Sequence, residues 1–89
     1  MADFAIWGPI SAEDLAGLCG RVCALLQARG PGPVRCDVAG VAPDVVTVDA
    51  LARLQLAAGR LGCRVRLQNA SDELRELVTF MGLADVLPD

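Results

Sequence analysis

Apolar residues recur along the chain in two alternating rhythms, one of period two and one of period 3.6. In 3–7, Phe4 and Ile6 fall on one side of an extended segment and Ala5 and Trp7 on the other, and Gly8-Pro9 stops it. Leu15, Leu18, Cys19, Val22, Leu25 and Leu26 then repeat at helical spacing. This predicts a helix to about residue 28, with Ser11 as N-cap and Glu13 and Asp14 suiting its positive end. Its opposite face carries Gly17, Gly20 and Ala24. Interior glycine costs about 1 kcal/mol against Ala. The pattern suits either close approach of a second copy, a homodimer face, or the Ala/Gly bias of the chain.

Residues 29–33 (Arg-Gly-Pro-Gly-Pro) are a stop. Residues 34–38 follow as a second strand, mostly apolar, as for a strand covered on both faces. A second helix is predicted over about 47–61, with Ala50, Leu51, Leu54, Ala58 and Leu61 inward and Gly62 just past its end. Its far face carries Asp49, Arg53, Leu56 and Arg60, so Leu56 should project into solvent among charges. The third strand is 63–68, with Arg64 and Arg66 on one face, as on a sheet edge. Ser71 caps a third helix whose inward stripe is Leu74, Leu77, Val78 and Met81, with Phe80 to the side and Gly82 at the end. Residues 84–89 read as a terminal turn or strand stub. The order β-α-β-α-β-α predicts a single α/β domain over 1–89 with a mostly parallel sheet packed with helices.

Composition narrows the chemistry. The 89 residues carry no His or Tyr, and all eight basic residues are Arg. General-base and nucleophile pairings therefore lack their usual partners, and the expectation is no enzyme. No Gly-rich phosphate loop appears, and no cofactor is expected. Cys19, Cys23, Cys36 and Cys63 form no CxxC pair and have no His to complete a metal site, so they read as free, small hydrophobes. A net charge of −3 makes nucleic acid an unsuited partner. No apolar run is long enough for a membrane span, and Met1-Ala2-Asp3 shows no basic leader, so the expectation is a cytoplasmic protein without membrane insertion.

What remains is the junction 36–51. Asp44 precedes the second helix, and Thr47 is placed at or next to its N-cap. A hydroxyl there either caps the helix or accepts a phosphate, whose charge of about −2 would suit the helix N-terminus.

This junction also carries a resemblance. Asp37-Val38-Ala39-Gly40-Val41, then Asp44-Val45-Val46-Thr47, Ala50-Leu51-Ala52-Arg53-Leu54, Arg60 to Leu67, Ser71 to Leu77 and Met81-Gly82-Leu83 together resemble a STAS domain. That family includes bacterial anti-sigma-factor antagonists and the small STAS subunit of phospholipid-transport ABC systems. The resemblance spans about residues 34–87 and implies a reduced STAS domain without the family's N-terminal strand, from a high-GC bacterium by its residue bias. It implies a regulator that docks on a kinase-like anti-sigma factor through Asp44, Thr47, Asp49, Arg53, Leu56 and Arg60. The alternative is an accessory subunit that supports a lipid-transport ABC ATPase. Where the family has D-S-S-G, this chain has Asp44-Val45-Val46-Thr47. Counting from Asp37 puts Thr47 at the family's phosphoacceptor; counting from Asp44 puts Val46 there.

Overall fold

Six elements follow one another: β1 (Phe4–Trp7), α1 (Ala12–Arg29), β2 (Gly32–Gly40), α2 (Val45–Arg60), β3 (Cys63–Gln68) and α3 (Asp72–Phe80). They come from a computed structural model that describes residues 2–8 and 10–88, and for Ala12 the backbone alone. Met1, Asp89 and the Pro9 of the expected Gly8-Pro9 stop lie outside the described residues.

The three strands form one parallel sheet in the order β1-β2-β3. The β-α-β-α-β-α order and the parallel sheet expected from the sequence are both present. Phe4, Cys36 and Leu67 lie in one cross-strand row, and Ala5, Asp37 and Gln68 in the next. Both crossovers step in the same direction across the sheet, so the right-handed rule puts α1 and α2 on one face. There they pack against each other, and α3 packs beside α2.

The strands show the consequence. Ile6, Val34, Cys36, Val38, Cys63, Val65 and Leu67 are buried against the helices. The alternate positions Trp7, Pro33, Arg35, Ala39, Arg64 and Arg66 face solvent. This corrects the expectation that β2 is covered on both faces. Arg35 and Asp37 are the outward half of a period-two strand in a two-layer fold. Arg64 and Arg66 do lie on the open face of an edge strand, as their alternation predicts.

Each helix start has a local cause. Ser11 Oγ accepts the Asp14 N–H at 3.3 Å, Asp44 Oδ1 accepts the Thr47 N–H at 2.7 Å, and Ser71 Oγ accepts the Leu74 N–H at 3.1 Å. Gly62 and Gly82, at φ 73° and 74°, take the left-handed turn that ends α2 and α3. Of α1's expected stripe, Val22 and Leu26 are buried, Leu15, Leu18 and Cys19 are partly buried, and Leu25 is 43 % exposed. Leu25 therefore belongs to a groove and not to the core.

The two sheet edges are treated differently. Along β3, the Leu67 N–H donates to Pro88 O at 2.8 Å, so the C-terminal turn lies against that edge and buries Leu87. The Gln55 carboxamide also sits against it. Its Oε1 accepts the Val65 N–H and its Nε2 donates to Val65 O, both at 2.8 Å. One side chain from α2 thus takes the place of a neighbouring strand. On β1, the Asp3 carboxylate accepts the Arg35 N–H at 2.8 Å. That bond, helped by the Arg29 and Arg35 guanidiniums and opposed by burial, holds the Asp3 pKa below its ordinary value. A depressed carboxylate stabilises the fold above its unfolded pKa and loses that contribution as pH falls, so β1 should loosen in acid.

Candidate docking surface at the start of α2

The site is the loop 41–44 and the exposed stripe of α2. Asp44 caps the helix, so α2 begins two residues earlier than the apolar spacing alone suggests. Val45 and Val46 occupy the first turn and are 57 % and 47 % exposed. Thr47 follows with no exposed surface at all. This corrects its placement at the cap: Thr47 is the third helical residue, and its backbone N–H, not its hydroxyl, takes part in capping. The reason is phase. Thr47 stands four, seven and eleven residues before Leu51, Leu54 and Ala58, all buried, and so belongs to their stripe.

The Thr47 hydroxyl is sealed in this position, and among the described residues Oγ1 has no hydrogen-bond partner. A phosphate could reach it only if the first turn of α2 opened. The hydroxyl expected to carry a switch is thus withdrawn from the surface, and the exposed positions beside it are valine.

The other expected residues do come together. Asp49, Arg53, Leu56 and Arg60 are all exposed and share one side of α2 with Val45 and Val46. Together they make a strip about 22 Å long at 1.5 Å per residue. Leu56 is 68 % exposed, as its phase predicts. Arg53 Nε meets Asp49 Oδ2 at 2.9 Å, one turn apart. Both groups are more than half exposed, so the pair adds only about 0.3–0.5 kcal/mol and serves mainly to order the strip. Between this strip and α1 lies a shallow groove of ≈ 400 Å³ bordered by Leu15, Cys19, Arg53, Leu56 and Arg60. The apolar members flanked by charges give the surface the mixed character of a small protein interface.

The loop is held from below by β1 and β2. The Gly8 N–H donates to Gly40 O at 3.1 Å, and the Trp7 indole lies where a Gly40 side chain would project. A Cβ on Gly8 would press within 3.2 Å of the Ala42 N, so loop and strand end are in close contact.

All four cysteines are free, and burial together with the neighbouring Asp37 pushes the Cys36 thiol up to about 12. Burial raises Cys19 as well, with Cys23 adding to it. Neither is poised as a thiolate. Among the described residues no three His, Cys, Asp or Glu side chains converge to hold a metal ion, and no helix is long and apolar enough to cross a membrane.

Gln55 went unrecognised in the sequence. Its partners Val65 and Val86 are distant in the chain, so only its position as a polar residue in an Ala/Leu-rich helix hinted at a role.

No protein-family model and no curated protein matches the sequence.

Proposed function

We propose that the chain is a non-catalytic protein-docking module of the STAS type. It would engage one protein partner through the loop 41–44 and the exposed strip of α2. The observation that carries this reading is the pair of exposed valines directly after the Asp44 cap, continued along the helix by Leu56. Apolar side chains at a helix start, where polar ones cap more cheaply, suit a contact surface. The start of α2 at Asp44 favours the register that sets Val46 at the family's phosphoacceptor.

The resemblance makes the partner a kinase-like anti-sigma factor in the cytoplasm. Because Thr47 is sealed and Val46 has no hydroxyl, this contact is constitutive and not gated by phosphate. The same observation favours a second reading, a permanently associated subunit that supports a lipid-transport ABC ATPase.

Affinity purification of the tagged chain from its own host separates the two. An anti-sigma factor among the captured proteins selects the first, and a transporter ATPase the second. In either case Leu56→Glu should reduce recovery about tenfold, equivalent to about 1.4 kcal/mol. Its circular dichroism should stay that of the wild type. Undiminished recovery by a folded Leu56→Glu chain would refute the docking surface.

A further inference from the structure

Among the described residues nothing covers the outer side of β1. β2 is its only strand neighbour, and among the described residues no side chain or terminal segment is hydrogen-bonded along it. The opposite edge is covered twice, by Gln55 and by the C-terminal turn. An open edge is a template for another strand.

Beside this edge runs a groove of ≈ 570 Å³ between β1 and α1. Its floor is apolar, with Phe4, Ile10, Leu18 and Leu25. Its α1 wall carries Glu13 near one end, Gly17 in the middle and Arg21 beyond. Among the described residues neither Glu13 nor Arg21 has an ionic partner. Their positions are symmetric about Gly17, with four residues on each side.

We infer that a second copy of this chain occupies the groove, pairing β1 with β1 antiparallel about a two-fold axis. The two sheets then become one six-stranded sheet, and the α1 helices cross beside the axis near Gly17. A two-fold is the commonest oligomer symmetry and demands a self-complementary surface. This wall has one: rotation about Gly17 sets Glu13 of each copy against Arg21 of the other. The stretch from Glu13 to Arg21 rises about 12 Å, and four strand residues span about 13 Å, so the two elements that line the groove are matched in length. Exposed Gly20 and Ala24 leave room for the second helix, and the Arg21 guanidinium, folded over Gly17, already stands next to the axis. The strip on α2 stays outside the interface, so the dimer presents two docking surfaces.

Sedimentation velocity over a concentration series tests this. The wild type should move from 9.3 kDa toward twice that mass as concentration rises. Arg21→Glu alone and Glu13→Arg alone should each weaken the dimer about tenfold or more, through like charges facing across the axis. An equal mixture of the two variants should dimerise again, because every Arg then meets a Glu. Amide exchange at residues 4–7 should slow as the wild type is concentrated, which decides the matter if Glu13→Arg fails to fold. A monomer at every concentration, a dimer indifferent to Arg21→Glu, a mixture no tighter than its components, or exchange at 4–7 independent of concentration would overturn the inference.

Discussion

Thr47→Asp should melt at least about 12 °C below the wild type, or fail to fold. The side chain at this position has no exposed surface and is enclosed by the α2 stripe that holds Leu51, Leu54 and Ala58. Among the described residues no charged side chain is buried with it, and an uncompensated buried charge costs about 3–5 kcal/mol. Domains of this size have about 5–15 kcal/mol in total, and each kcal/mol moves the midpoint by about 4–8 °C. The expectation for a surface switch is the opposite, a folded mimic with altered binding. Thr47→Val supplies the control. It keeps the shape and removes a buried hydroxyl that has no partner among the described residues, so it should gain about 1 kcal/mol and melt about 4–8 °C higher. Thermal melts followed by circular dichroism read both. A Thr47→Asp chain as stable as the wild type would mean that this side chain reaches water.

Gln55→Ala should cost about 2 kcal/mol and lower the melting point by about 8–16 °C. Its carboxamide makes three bonds, two with the Val65 backbone and one to Val86 O, each at 2.8 Å. Truncation leaves Val65 with an unpaired donor and acceptor and frees the turn that buries Leu87. Amide exchange at Val65 and Leu67 should quicken more than at the paired residues of β2, which separates loss of this edge from general destabilisation. Gln55→Glu sharpens the point. It keeps the acceptor for the Val65 N–H but turns an oxygen toward two carbonyls. The carboxyl pKa should rise, so the variant should regain stability as pH falls through that raised value. Equal exchange rates at Val65 in wild type and Gln55→Ala would remove the strand-replacing role.

Much of this architecture is legible in the chain itself, and particular residues show why. The phase of α2 follows from Ala50, Leu51, Leu54 and Ala58, which place Leu56 outward, where it lies. Ser11, Ser71, Gly62 and Gly82 mark helix ends because their local chemistry decides them. The start of α2 is less legible. Val45, Val46, Thr47 and Val48 are all β-branched, so local propensity argues against a helix there. The Asp44 cap and the packing of Thr47 and Val48 beneath the helix override it. Thr47 lies four residues before Leu51, and that spacing places it on the buried stripe. In β2, the outward Arg35 and Asp37 already carry the period-two alternation of a one-sided sheet. The apolar character of Val34, Cys36 and Val38 masks that signal. The Gln55 contacts span 10 and 31 residues of sequence, and no local pattern encodes them.

The exposed strip follows from these same facts. Asp44 starts the helix early, the buried stripe takes Thr47, and the first-turn positions left facing water are Val45 and Val46. The strip then runs through Leu56 to Arg60 on one side of α2, away from the β1 edge.

The most direct measurement is the affinity of the captured partner for Val46→Asp, by titration calorimetry beside a thermal melt of the same variant. An acid in the first turn suits the helix dipole, so the melt should match the wild type within a few degrees. A charge placed in an apolar contact should weaken binding about tenfold or more. Wild-type affinity in a folded Val46→Asp chain would contradict docking through the start of α2.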